Sequence, residues 1–253
     1  MAAALRLLIS AAQDIGTRKE QQDAVNATLP ERREELGAIC VLSDGMGGLK
    51  NGMDASTAIV NTMVRTFQES SARESMERIL LRGCREAQKA VLRLQEQQNE
   101  RCGATLVAAI VRDGRCSFLS VGDSRIYLYR RGALIQLNRE HNKGSITEVR
   151  IGLGHLPEEA RSDKARKGLT SYIGIDTLTM VDRSSHSFAV GPGDRIVMAS
   201  DGVFGTLTEE ELEQELALPE ERAANAIIDR VMAKQLPNQD NCTVAIMDFS
   251  QAL

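Results

Sequence analysis

An α+β fold is predicted by three features of this 253-residue chain. Apolar residues recur with the helix period in some blocks and with the strand period in others, so helices and strands are grouped rather than strictly alternating. Short turns such as Asp113-Gly114 join successive strand-like runs, which points to antiparallel pairing with helices covering the sheets. No linker, internal repeat or low-complexity tract interrupts the sequence, so residues 1–253 read as a single domain.

Leu5 to Ala11 alternates enough to be a first strand, and residues 39–43 give a second. Ala55, Ile59, Met63 and Phe67 recur every four residues and predict a helix. Met76, Leu80, Cys84, Ala87, Val91 and Leu94 form the apolar stripe of another, which suits packing against a sheet better than a partner-binding face. From Thr105 the period becomes strand-like. Thr105–Val111, Cys116–Val121 and Ile126–Tyr129 predict a meander whose turns are Asp113-Gly114 and Gly122-Asp123-Ser124. Residues 142–168 are polar and rich in glycine, which predicts a mobile flap with a helical piece near Ser145–Arg150. Strands return at Ser187–Val190 and Arg195–Ala199. Helices follow at Glu209–Ala217 and Glu221–Lys234, and a last strand spans Thr243–Phe249.

Composition narrows the function. A net charge of −4 with no basic run gives no footprint for nucleic acid or for an anionic membrane surface. No apolar run approaches the roughly 18 residues needed to span a bilayer. The apolar start of the chain is short and carries one early charge, Arg6, so a strand explains it as well as a signal peptide does. Five cysteines, odd in number and without paired spacing, predict buried reduced thiols and a cytoplasmic location. With only three histidines in the chain, zinc chemistry and His-dependent nucleophilic catalysis are disfavoured. Carboxylates must carry any metal chemistry.

Such carboxylates recur at the edges of apolar strands. Asp44 follows one and opens the glycine-rich turn Gly45-Met46-Gly47-Gly48. Asp123 follows Val121-Gly122, Asp201 follows the run ending at Ser200, and Asp240 precedes Thr243–Phe249. Asp23 is a candidate fifth. Any one Asp-Gly pair is an ordinary turn. Several carboxylates gathered at neighbouring strand ends repel each other unless a cation neutralises them. Hard oxygen donors without histidine suit Mg²⁺ or Mn²⁺, and the chemistry of a dinuclear site of that kind is typically hydrolysis or transfer at phosphorus. Dinucleotide, Walker A and Gly-x-Ser-x-Gly patterns are absent; Lys50 stands where a third fingerprint glycine is needed.

The sequence resembles the metal-dependent Ser/Thr protein phosphatases of the type 2C family, from about Asp14 to Phe249. "DIGTRKEQQDA" is similar to the family's opening motif, and "LSDGMGG" to its Asp-Gly-x-Gly-Gly motif in the form with Met that bacterial members often show. "CGATLVAAIV", "VGDSRIYLYR", "LNREHN", "LTSYIG", "GDRIVMASDGVFGTLTEEEL" and "DNCTVAI" follow in the family's order. The opening motif departs from the family pattern. Gln21-Gln22-Asp23 stands where Asn-Glu-Asp is usual, which removes one charge near the second metal.

The resemblance implies a central antiparallel β-sandwich flanked by pairs of antiparallel helices, with a dinuclear Mn²⁺ or Mg²⁺ site at one end. Asp44 would bridge two ions, and the Gly45 carbonyl would ligate the second. Asp201 and Asp240 would complete the first ion's shell, and Asp23 would act around the second through water. Asp123 with Asp201 would face a third, weakly bound ion. Arg18 would grip the substrate phosphate, as its planar fork suits two phosphate oxygens. The implied activity is hydrolysis of phosphoserine and phosphothreonine by metal-activated water, with Arg18, Asp44 and Asp201 catalytic. His141 could protonate the leaving alkoxide but fits better as part of the flap. Expected partners are phosphorylated proteins, including a Ser/Thr kinase or its targets, in a monomeric, cytoplasmic signalling enzyme. Two alternatives stand beside this reading: a phosphoprotein-binding pseudophosphatase, and a dinuclear hydrolase of small phosphoesters.

Overall fold

The computed structural model describes residues 5–28, 34–46, 51–162 and 168–251. Gly47 and Gly48 of the glycine-rich turn, and 163–167 of the expected flap, lie outside the described residues. Along the chain run β1 (Leu5–Asp14), β2 (Asp23–Thr28), β3 (Ala38–Asp44), α1 (Gly52–Gln68), α2 (Met76–Gln98), β4 (Leu106–Arg112), β5 (Arg115–Val121) and β6 (Arg125–Arg130). They continue with β7 (Ala133–Gln136), α3 (Lys143–Gly152), β8 (Asp182–Arg183), β9 (Phe188–Ala189), β10 (Arg195–Ala199), α4 (Asp201–Phe204), α5 (Glu209–Leu216), α6 (Glu220–Ala233) and β11 (Cys242–Gln251).

The strands form two antiparallel sheets. One has the order β1-β11-β10-β6-β7; the other has β2-β3-β4-β5-β8, with β9 also paired to β5. The central strands are apolar on both faces because each face meets a different layer. In β3, Cys40 and Leu42 point between the sheets, whereas Ile39 and Val41 point towards α1 and α2. In β11, Ala245 and Met247 point between the sheets, and Val244 and Ile246 towards α5 and α6. The result is four layers: a helix pair, a sheet, a second sheet and a second helix pair. This is the sandwich flanked by helices that the resemblance implies. The stripe on α2 is core, with Ile79, Leu80, Cys84, Ala87 and Val91 buried on the sheet. Ser75 starts that helix by accepting the Arg78 N–H at 3.4 Å.

The meander reading is corrected at one point. β4 and β5 do pair, but β5 and β6 belong to different sheets. Gly122-Asp123-Ser124 is therefore a crossover between the layers and not a hairpin turn. A short turn between two apolar runs has the same pattern whether the second run pairs with the first or packs beneath it. Three short strands, β2, β7 and β8, and the short helix α4 carry too few apolar residues to register as periodic runs. The polar stretch from 142 contains a longer helix than expected, Lys143–Gly152, and a 3-10 turn at Glu158–Ser162.

Candidate metal centre

The layering brings the ends of several strands to one end of the sandwich, and the singled-out aspartates come with them. Asp44 is the last residue of β3, and Asp23, the first of β2, is its register partner. Asp123 lies in the β5–β6 crossover. Asp201 opens α4 immediately after β10, and Asp240 lies two residues before β11. Arg18, Asp44, Gly45, Thr105, Asp123, Asp201 and Asp240 line one cleft of about 250 Å³, with Gly168 and Leu169 forming part of its edge. Asp23 sits behind Asp44 and is buried.

Glycine makes two of these approaches possible. A Cβ on Gly45 would lie 2.6 Å from the backbone oxygens of Gln22 and Gly52. The Gly45 N–H donates to the Gln22 carbonyl at 3.0 Å, which ties the Asp44 turn to the segment carrying Asp23. A Cβ on Gly202 would lie 2.0 Å from the backbone oxygen of Asn241, so only glycine lets the Asp201 and Asp240 segments touch.

Hydroxyls that the sequence reading did not single out fix the carboxylates. Ser200 Oγ donates to Asp23 Oδ2 at 2.8 Å and accepts the Thr243 N–H at 2.9 Å. Thr105 Oγ1 accepts the Asp44 N–H at 2.9 Å and lies 2.7 Å from Ser124 Oγ. The only sequence signal for them is a small polar residue at the end of an apolar run. Gln22, at the departure from the family pattern, contributes its backbone: its carbonyl also accepts the Ser56 hydroxyl at 2.6 Å. His141 does not line the cleft. It is buried, with Nδ1 accepting the Gly122 N–H at 3.2 Å and its backbone N–H donating to the Gly122 carbonyl, so it braces the crossover.

Electrostatics mark the group as short of positive charge. Burial, opposed by hydrogen bonds and reinforced by Asp201, raises Asp23 to about 6. Burial and then Asp201 and Glu140 raise Asp123 to about 7. Asp44 is pushed well above the carboxylate range, first by burial and then by Asp23, Asp201, Asp123 and Asp240. Asp23 Oδ1 is buried and accepts no hydrogen bond. Among the described residues, the cation lining the cleft is Arg18, whose Nη2 donates to Asp240 Oδ2 at 2.7 Å on the exposed rim. Among the described residues, no three His, Cys, Asp or Glu side chains stand together closely enough to hold an ion as placed. The carboxylates surround the cleft without converging on one point. As donors they fit hard divalent cations: all oxygen, mutually repelling, and including a buried oxygen with no donor.

Comparison with known proteins agrees with this chemistry. A family model described as protein phosphatase 2C matches residues 13–239. The chain is 28% identical over 216 residues to the serine/threonine phosphatase stp of Listeria monocytogenes, covering 83% of this chain and 84% of that protein. The crystal structure of the Mycobacterium tuberculosis serine/threonine phosphatase PstP/Ppp superposes with a TM-score of 0.78 at 25% identity, over 97% of this chain and 99% of that one. A catalytic domain of PstP solved in complex with two manganese ions shares the fold, with a TM-score of 0.77 at 24% identity over 98% of this chain and 100% of that one.

Proposed function

This chain belongs to the protein phosphatase 2C family, and from that premise we propose how its own residues carry out the hydrolysis of phosphoserine and phosphothreonine in proteins. The family's members are metal-dependent hydrolases that use Mn²⁺ or Mg²⁺, and phosphoproteins are their substrates. The observation that carries the assignment is that Asp44, Asp123, Asp201 and Asp240 line one cleft together with Arg18, backed by buried Asp23.

Asp44, Asp201, Asp240 and the Gly45 carbonyl are assigned to hold two ions, with Asp23 acting behind Asp44 through water. Asp123 with Asp201 is assigned to a weaker third. When bound, the ions supply an activated water and positive charge for the phosphoryl oxygens. Arg18 stands at the rim, half-exposed, where its guanidinium can exchange Asp240 for two phosphate oxygens and orient the phosphorus for in-line attack. Thr105, the one hydroxyl residue on the cleft wall among the described residues, is occupied by Asp44 and Ser124, so it serves as a brace and not as a nucleophile. No phosphoenzyme is required.

We assign one catalytic domain over 1–253, with a flap at about 142–168 that meets the substrate. The proposed enzyme is a monomer acting on a Ser/Thr kinase or its targets, and its proposed cytoplasmic location is supported by five free, buried cysteines. Among the described residues, no helix is long and apolar enough to cross a membrane. The test is hydrolysis of a phosphothreonine peptide with Mn²⁺, with Mg²⁺ and after chelation, with Asp201→Asn alongside. Activity is expected with either metal and should vanish on chelation and in the variant. Undiminished turnover in excess chelator would remove the assignment, and a folded wild type that binds the peptide without turnover would favour the pseudophosphatase.

A further inference from the structure

A line of side-chain contacts that hydrolysis does not itself use connects two parts of the cleft wall. On one side, α4 begins with Asp201 and ends with Phe204. The Arg125 guanidinium lies 4.0 Å over the Phe204 ring. Its Nη1 donates at 3.0 Å to the hydroxyl of Tyr127, a core residue that is 1% exposed, so the cation is anchored to the sheet. Its Nε donates to Glu140 Oε1 at 2.6 Å. The other Glu140 oxygen accepts from Asn142 Nδ2 at 2.7 Å. Asn142 Oδ1 in turn accepts the Ser145 N–H at 2.8 Å and so caps α3. Beside that cap, the Lys143 N–H donates to the Gly168 carbonyl at 2.9 Å and Asn142 bridges to Leu169. Gly168 and Leu169 line the same cleft as Asp201.

We propose that Arg125 and Glu140 are positioning residues that couple the Asp201 turn to the flap helix α3, and so set the Gly168–Leu169 edge against which a phosphoprotein, but not a small phosphoester, is held. The inference rests on the phosphatase reading. Its physical basis is the acceptor count at Glu140. A carboxylate accepts from the guanidinium and from Asn142 at once, one oxygen to each, whereas an amide has a single acceptor oxygen to offer the two donors. The Arg125–Glu140 pair is largely shielded, its side chains 24% and 16% exposed, so its charge-assisted hydrogen bond is held in place and not dissolved by water.

That count yields a test by exchange of polarity. In Glu140→Gln, an amide N–H meets either Arg125 Nε–H or Asn142 Nδ2. In Asn142→Asp, the cap survives but two carboxylates face each other. In the double variant the line closes again. The new amide at position 140 accepts from Arg125 and donates to the new carboxylate at position 142, which still caps Ser145, and the net charge is that of the wild type. Hydrogen exchange over 143–152 in the metal-free protein should be about tenfold faster in each single variant and return to within about twofold of wild type in the double. With Mn²⁺, KM for a phosphothreonine peptide should rise about fivefold in Glu140→Gln, while kcat for p-nitrophenyl phosphate stays within about twofold. Wild-type exchange and KM in Glu140→Gln, or losses that add in the double variant, would overturn the coupling. A wild type inactive on both substrates would overturn the phosphatase reading instead, and the exchange data would still decide whether α3 is coupled.

Discussion

Asp23 and Asp44 face one another across the β2–β3 ladder at the cleft, a pairing of like charges that a sheet disfavours. Ser200 bonds one oxygen of Asp23 and leaves the other bare. A bound cation, as proposed for this cleft, would relieve that repulsion. Asp123 differs in standing on the crossover, away from that ladder, with His141 bracing its neighbour Gly122. A turn residue there would tolerate asparagine. As a ligand for a weak third ion it would not. Asp123→Asn should therefore keep its fold and two bound ions, measured as metal per protein, while peptide turnover falls by about tenfold and recovers only partly at high Mn²⁺. Full turnover across the Mn²⁺ range would return Asp123 to the role of a turn residue.

Elements that contribute no residue to the cleft lining should be open to change without loss of its chemistry, and α5 provides a case. Thr208 and Glu211 form a reciprocal capping box, with the Glu211 N–H on Thr208 Oγ1 at 3.2 Å and the Thr208 N–H on Glu211 Oε2 at 3.1 Å. Leu212 and Leu216 of the same helix are buried against the outer face of the β1–β11–β10 sheet. Thr208→Ala should lower unfolding stability by about 1 kcal/mol and leave kcat and KM unchanged. Urea unfolding and steady-state kinetics on one preparation check both halves; a change in kcat would mean that α5 is coupled to the cleft after all.

For the whole molecule, the cleft sets stability against charge. Asp23, near 6, and Asp123, near 7, both titrate far above the roughly 3.9 of an unfolded aspartate, Asp44 is raised as well, and Asp248 at the other end of β11 is held near 6 by burial despite Arg195. Groups raised on folding stabilise at low pH, and that contribution is lost as pH climbs from about 4 through 7. His141, lowered by burial, works in the opposite sense near its ordinary value. Four carboxylates outweigh one imidazole. In chelator, the thermal midpoint should fall by a few degrees between pH 5 and 7.5, and Asp123→Asn should flatten that slope. With Mn²⁺ the slope should reverse, because ions compete with protons for the same oxygens. A midpoint that rises steadily with pH in chelator would contradict the assigned direction.

The sequence determined by itself the class of fold, the two helix pairs, the strands with long apolar runs and the aspartates at their ends. Each is written in a local pattern: a period of 3.6 or 2, a turn residue after a run, a carboxylate at the edge of an apolar strand. Only the tertiary structure decided that Gly122-Asp123-Ser124 passes between sheets, that Asp23 lies opposite Asp44, that Ser200 and Thr105 bond those two aspartates, and that Arg125, Glu140 and Asn142 stand in one hydrogen-bonded line. Those facts depend on which strand a run packs against, and partner choice is settled by burying two apolar faces at once. Arg18 and Asp240 are 222 residues apart in the chain, and no local period records a contact made over that distance.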